Sequence, residues 1–308
     1  MGDRYDLVVL GGGAAGLTAS IVAGRLGAKV ALVEREEQPG GDCLFWGCVP
    51  SKALLASAKL AHDMRTADRL GLEPVEPELD FARVMERVRA AITAAGRHDT
   101  PEYLRREGVE VIRSQGSLEG PGVVDVEGRS LRFRKAIIAT GSRPARPPLT
   151  GLEEGDALTN ETAFDLRERP GRLAVVGGGP TGVELGQAFA RLGSAVTIVE
   201  AAERLLPSEE PEASRLIAES LADDGVAVRA GREVDELEAG EGGAGALLVG
   251  AERLAYDKLL VAVGRQPDSE GMGLEHAGVQ RTARGWVRVD DRLRTTAPHV
   301  YAAGDAVG

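Results

Sequence analysis

Cysteine is nearly absent from the 308-residue chain: there are two, Cys43 and Cys48, and four scattered histidines, too few and too dispersed for a zinc site. Long apolar runs are missing too. No stretch is long enough to span a membrane, and the short run at 7–10 follows Asp3, Arg4 and Asp6, which marks a buried strand rather than a secretory leader. A formal net charge of −11 with no basic cluster excludes nucleic acid and anionic lipid as natural partners. Together these absences predict a cytoplasmic protein with no membrane association. At 308 residues and 43% hydrophobic content the chain can bury two cores, so two domains of ordinary size are expected.

What is present begins with glycine. Residues 6–10 are a β-branched apolar run of strand length leading into Gly11-Gly12-Gly13-Ala14-Ala15-Gly16, a G-x-G-x-x-G turn that opens a helix running to Gly27. The next strand, 29–33, ends on Glu34, at the spacing where a dinucleotide fold places an acid on the adenosine ribose. Gly11 makes the tight turn, Gly13 lets the backbone approach a pyrophosphate, and Gly16 lets the helix pack on the strand. A bare glycine pattern also fits any Gly-rich strand-to-helix turn; strand before, helix after and acid in place favour the dinucleotide. The motif then recurs as Gly177, Gly179 and Gly182, ending on Glu200. Each residue lies 166 positions after its counterpart: Gly11 and Gly177, Gly27 and Gly193, Glu34 and Glu200. Two cofactors are implied.

The two cysteines sit in Gly40-Gly41-Asp42-Cys43-Leu44-Phe45-Trp46-Gly47-Cys48-Val49-Pro50-Ser51-Lys52. Residues five apart on a regular helix point away from each other, so a bridge between them needs distorted backbone, which Gly47 and Pro50 permit; an ordinary helix is expected from about Ser51. A helix N-terminus and Lys52 would stabilise one thiolate, as an exchanging dithiol requires. Two inert buried thiols fit the same spacing.

This stretch resembles the redox motif of the class I pyridine nucleotide-disulfide oxidoreductases, which include lipoamide dehydrogenase, glutathione reductase and mercuric reductase. It departs from the commoner pattern at Asp42, usually Thr, and at Phe45-Trp46, usually Asn-Val. The resemblance extends over the whole chain. It implies FAD and NAD as cofactors, with NADP as the alternative, and a Cys43–Cys48 disulfide in which Cys48 contacts the flavin and Cys43 exchanges with substrate. It implies that Lys52 lies near the flavin and pairs with Glu184 beside the nicotinamide. It also assigns Gly41, Gly116, Thr140, Gly141 and Asp305 to the FAD site, the last on the ribityl chain, and Gly264 to the close of the NAD domain. Pro180 stands where glutathione reductases carry a gating Tyr. Electrons would pass from NAD(P)H through FAD and the disulfide to a small-molecule or protein disulfide, or to a metal ion. Family members continue beyond the equivalent of Asp305 into an interface domain carrying a His-Glu pair. The resemblance therefore implies a homodimer for a full-length form, and for this 308-residue chain a monomer with dye-reducing activity or none.

The expected fold is α/β, with two Rossmann-like dinucleotide-binding domains, the second inserted in the first. Residues 1–147 form the first FAD segment, 148–267 the NAD(P) domain, and 268–308 a truncated FAD return segment, with the stiff linker Arg143-Pro144-Ala145-Arg146-Pro147-Pro148 at the first boundary. Helices are expected at 53–70, 81–95 and 209–224, and a Gly-rich hairpin region at 236–255. His62 and His98 are read as exposed histidines on amphipathic helices, outside any ligand spacing.

Overall fold

The computed structural model describes residues 4–152, 155 and 157–308. In chain order it forms β1 (Arg4–Leu10), α1 (Ala14–Arg25), β2 (Val30–Glu34), α2 (Gly41–Phe45), α3 (Cys48–Arg65), α4 (Phe81–Ala95) and α5 (Pro101–Arg106). Then come β3 (Val109–Arg113), β4 (Ser117–Gly120), β5 (Val123–Val126), β6 (Arg129–Ile138), β7 (Ser142–Pro144), β8 (Arg172–Val176), α6 (Pro180–Arg191) and β9 (Ala195–Glu200). The remainder is α7 (Pro211–Asp223), β10 (Ala227–Ala230), β11 (Glu236–Ala239), β12 (Gly245–Val249), β13 (Glu252–Tyr256), β14 (Lys258–Val261), β15 (Arg265–Pro267) and β16 (Val300–Ala302).

The chain divides into two units. The first comprises Met1–Phe45, Thr93–Arg143 and Arg265–Gly308; the second comprises Trp46–Ile92 and Pro144–Gly264. In the first, the strand order is β3-β2-β1-β6-β5-β4, with β16 also pairing to β6. The pairs β3-β2, β2-β1, β1-β6 and β16-β6 are parallel, whereas β6-β5 and β5-β4 are antiparallel hairpin pairs. All five residues of β2 are buried, as a parallel strand covered on both faces requires. The period of two then sorts its neighbours. Val8, Leu10, Ala31 and Val33 enter one core, and Val9, Val30 and Leu32 the other, with Leu17 of α1 and Leu104 of α5.

In the second unit the parallel sheet runs β10-β9-β8-β14, beside an antiparallel sheet β11-β12-β13. The orders β3-β2-β1-β6 and β10-β9-β8-β14 are the same doubly wound half, written twice. Both dinucleotide folds are therefore built as the sequence implies.

Trp46–Ile92 joins the second unit, although the sequence assigns it to an unbroken first segment, 1–147. The reason lies in packing: Ala53, Leu54 and Ala58 of α3 and Phe81, Met85 and Val88 of α4 share one core with Val183, Ala188 and Phe189 of α6. α3 also begins earlier than expected, at Cys48 rather than near Ser51. Gly47 caps it, and Pro50 falls in the first turn, where the missing N–H has no intrahelical acceptor to lose. His62 is not the exposed residue expected. Its Nδ1 lies 2.8 Å from Asp224 Oδ1, and the Asp224 side chain is only 3% exposed because Arg191 and Gln187 also donate to it. His98 is exposed and meets Tyr103 edge to face.

Candidate active site: two nucleotide turns and a cysteine segment

The first turn is backbone built around missing side chains. Gly11 has φ +100°, and a Cβ there would lie 2.4 Å from Ala139 O. A Cβ on Gly16 would lie 1.9 Å from Gly11 O, so α1 seats against β1 only because that position is glycine. Gly13 N-caps α1, whose first N–H groups have no partner within the helix. Opposite it, a Cβ on Gly41 would lie 2.7 Å from Gly13 Cα, and Gly40 N donates to Gly12 O at 2.8 Å. The carboxylate of Glu34 is aimed by two amides, accepting from Gly12 N at 2.6 Å and Glu36 N at 2.9 Å.

These features fit a bound FAD on structural grounds. The two facing glycines leave a side-chain-free cradle beside a helix N-terminus, suited to a pyrophosphate. Thr140 Oγ1 is buried without a hydrogen-bond partner, a donor and acceptor left for something the chain itself does not supply. Gly141 has φ +73° and open space where a Cβ would stand. Gly116 is buried, and its glycine is explained by packing: a Cβ would approach Leu10, Val124 and Val33 at 2.9–3.2 Å. Asp305 is 62% exposed, held by the hydroxyl of Ser142, which donates to its Oδ2 at 2.9 Å.

The second turn repeats the first. Gly177 has φ +109°, with a would-be Cβ 2.4 Å from Ala262 O, and one on Gly182 would lie 2.0 Å from Gly177 O. Glu200 accepts from Gly178 N at 2.5 Å and Ala202 N at 2.7 Å. Pro180 occupies the first position of α6, where its fixed φ suits the helix and no hydrogen bond is lost. Nothing lies within 4 Å of a Cβ built on Gly179 or Gly264, so the space before α6 is open for a dinucleotide.

Cys43 lies on the one-and-a-half-turn helix α2 and is half-buried; Cys48 opens α3 and is exposed. The break between the helices falls at Gly47, with φ −120° and ψ −110°, the irregular backbone that the five-residue spacing calls for. Cys48 carries a free thiol in this structure. Lys52 Nζ, one turn into α3, donates to both oxygens of Glu184 on α6 at 2.8 and 2.7 Å. Both side chains are substantially exposed, so the pair contributes about 0–1 kcal/mol and is better read as orientation than as stability.

One cluster had no signal in the sequence. Arg265 donates from Nε to Ser142 Oγ at 2.6 Å, and from one terminal nitrogen to Ser142 O at 2.9 Å and to Asp42 Oδ1 at 3.1 Å. Asp42 stands out in the sequence only as a departure from the commoner threonine, and its partner lies 223 residues away. Among the described residues no helix is long and apolar enough to cross a membrane, and no group of three or more His, Cys, Asp or Glu is placed to hold a metal ion.

Comparison with known proteins agrees with this geometry. The chain is 40% identical over 308 residues to dihydrolipoyl dehydrogenase from Thermus scotoductus, covering 98% of this chain and 66% of that protein. It is 35% identical over 305 residues to mercuric reductase from Staphylococcus aureus, covering 98% of this chain and 55% of that protein. It thus spans about half to two thirds of the length of these relatives. Among solved structures, the HOCl-induced flavoprotein disulfide reductase RclA from Escherichia coli superposes with a TM-score of 0.85 at 30% identity, over 98% of this chain and 66% of that one. The family model for pyridine nucleotide-disulphide oxidoreductases matches residues 5–308, and with two dinucleotide turns and a paired-cysteine segment in place the chain belongs to that family, whose members use FAD and NAD(P)H.

Proposed function

We propose that the first unit binds FAD, that the second binds NADH, and that electrons pass from NADH through FAD to a Cys43–Cys48 disulfide and on to a disulfide or metal-ion substrate. The observation that carries this reading is the duplicated turn: two helix N-termini, each preceded by a side-chain-free glycine cradle and each with a carboxylate aimed by two backbone amides. Bound FAD supplies a carrier that accepts a hydride and can deliver an electron pair to sulfur. The chain's own residues do the rest. Glu34 and Glu200 accept from ribose hydroxyls, the glycine cradles receive pyrophosphates, and Asp305, held by Ser142, accepts from the ribityl chain. Reduction of the disulfide takes two electrons and two protons and leaves thiols at both cysteines. Cys48 is assigned to the flavin and Cys43 to exchange, and Lys52, fixed by Glu184, sets a positive charge beside the transfer.

The NADH assignment rests on the Glu200 loop. A carboxylate aimed at the ribose accepts from a 2′-OH and repels a 2′-phosphate. Arg204, the nearby cation that could have met a phosphate, donates instead to the carbonyls of Glu209 and Pro207 at 2.7 and 2.8 Å. Anaerobic titration tests the scheme. The purified chain should hold a yellow flavin that bleaches faster with NADH than with NADPH. Cys43→Ser should keep a thiolate-to-flavin charge-transfer band that Cys48→Ser loses. A colourless protein that takes up no FAD would refute the first assignment, faster bleaching by NADPH the second, and the opposite spectra would exchange the roles of the cysteines.

A further inference from the structure

The Arg265 cluster joins two parts of the first unit that the scheme above treats separately. Its guanidinium reaches Asp42 on α2, immediately before Cys43, and through the hydroxyl of Ser142 it reaches Asp305, the carboxylate assigned to the ribityl chain. Each hydrogen has one direction along this path: Arg265 Nε–H donates to Ser142 Oγ, and the Ser142 O–H donates onward to Asp305 Oδ2. The Arg265 Nε also stands 3.5 Å from Asp305 Oδ2, so one cation serves two carboxylates. Asp305 itself is 62% exposed on a short turn at Gly304–Val307, where packing cannot select one orientation of its side chain. Arg265 and Asp42 are each about two thirds covered, at 30% and 35% exposure, which shields their bond better than a surface pair.

We propose that Asp42 is a positioning residue for FAD: by anchoring the far side of Arg265 it holds Ser142 and Asp305 in the orientation that receives the ribityl hydroxyls, and so ties cofactor retention to the helix that bears Cys43. Without Asp42 the guanidinium keeps its charge and its two bonds to Ser142, at 2.6 and 2.9 Å, but loses the contact that anchors this pair to α2. The Arg265–Ser142–Asp305 chain then stays linked but is free to shift as a unit, and Asp305 loses its fixed place relative to the nucleotide turn. The inference rests on the FAD reading of the first unit.

A double-mutant cycle on the full 308-residue chain tests it, with FAD dissociation constants from flavin fluorescence of the reconstituted apo-protein. Asp42→Asn and Ser142→Ala should each weaken FAD by about fivefold, the scale of one partly shielded charge-assisted hydrogen bond. The double variant should also lose about fivefold, rather than the roughly twenty-fivefold of independent sites, because both changes cut one path. Asp42→Glu, which keeps the charge, should recover the affinity to within about twofold. Losses that multiply, an Asp42→Asn protein with unchanged affinity, or losses that track a fall in apo-protein melting temperature without rescue by Asp42→Glu would each overturn the proposal. A wild-type chain that binds no FAD would instead refute the reading on which it rests.

Discussion

At the first turn Gly12 N donates to Glu34 Oε2, and 166 residues later Gly178 N donates to Glu200 Oε2, at nearly the same distance. Gly40 N closes the first loop onto Gly12 O, and Leu206 N, again 166 residues later, closes the second onto Gly178 O. The backbone is thus repeated further than the amino acids are. Gly40 and Leu206 both adopt positive φ, +148° and +48°, but one is glycine and the other a branched side chain. Gly41 faces Gly13, whereas its counterpart is Pro207, and nothing lies within 4 Å of a Cβ on Gly179. What the fold demands is the path of the loop; what the loop carries differs between the sites. In the first unit it brings α2, and hence Cys43, against the nucleotide turn.

The largest effects should come from breaking what the two turns share. Gly16→Ala and Gly182→Ala each drive a methyl to 1.9 or 2.0 Å from a backbone oxygen, and neither helix can move without leaving its strand. Each should cost its own unit roughly 3 kcal/mol or more, at the upper end of overpacking. The losses should be crossed: Gly16→Ala releases FAD, while Gly182→Ala keeps a yellow protein that NADH no longer bleaches. Retention of both cofactors by either variant would show that the helix–strand contact tolerates more than the structure allows.

The next effect separates the two acids. Glu34 is 8% exposed, and its removal strands Gly12 N and Glu36 N in a buried site; Glu200 is half-buried. Glu34→Ala should therefore destabilise the apo-protein by about 1–3 kcal/mol and Glu200→Ala by about 1 kcal/mol, measured by calorimetry. Glu200→Ala should also narrow the preference for NADH over NADPH. An unchanged preference would place nucleotide selection elsewhere in the second unit.

Much of this was legible in the sequence because it depends on local backbone requirements. Gly11, Gly16, Gly177 and Gly182 are needed wherever a strand turns tightly into a helix, and β2 and β9 end on acids at a spacing that chain geometry sets. The start of α3 was misplaced because Pro50 reads as a helix breaker, yet in the first turn it costs nothing. His62 was misread because the partner that buries it, Asp224, is brought by α7 from 162 residues away, and no local pattern announces such a contact. The Arg265 cluster was invisible for the same reason. Lys52 and Glu184, 132 residues apart, were paired from family resemblance alone, and the structure brings them together.

A smaller effect should isolate what differs between the loops. Gly41 has φ +60°, and a methyl there would press on Gly13 Cα at 2.7 Å, filling the cradle from the side opposite α1. Gly41→Ala should weaken FAD by at least tenfold, about 1.4 kcal/mol, and cost the apo-protein about 1–3 kcal/mol through the methyl contact and the left-handed φ. Pro207→Ala, at the matching position, should leave NADH affinity within about twofold. Comparable losses from both would mean that the loops serve their cofactors alike, and the contrast drawn from Gly13 and Gly179 would fail.

The smallest effect contrasts the units at their periphery, by acid. In the return segment of the first unit Asp290 accepts from Arg294 Nε at 2.7 Å and from the backbone amides of Arg292 and Arg294 at 2.9 Å. The Arg294 side-chain hydrogen bond, joined by these amides, lowers its pKa from 3.8 to about 2. In the second unit the side-chain hydrogen bond of Arg172, with its backbone amide, lowers that of Asp257. Both carboxylates have folded values below their unfolded ones, so each stabilises above the unfolded pKa and loses that contribution as pH falls through the folded value. For Asp290 the window runs from 3.8 down to about 2. Asp290→Asn should therefore lower the melting temperature of the first unit at pH 7, with the difference from wild type shrinking below pH 4 and vanishing only below about pH 2. Asp257→Asn should act in the same direction on the second unit, and each should leave the other unit's transition in place. A deficit for Asp290→Asn that grows as pH falls would mean that the carboxylate is protonated more easily in the folded chain, and the turn closed by Arg294 would not be what holds it.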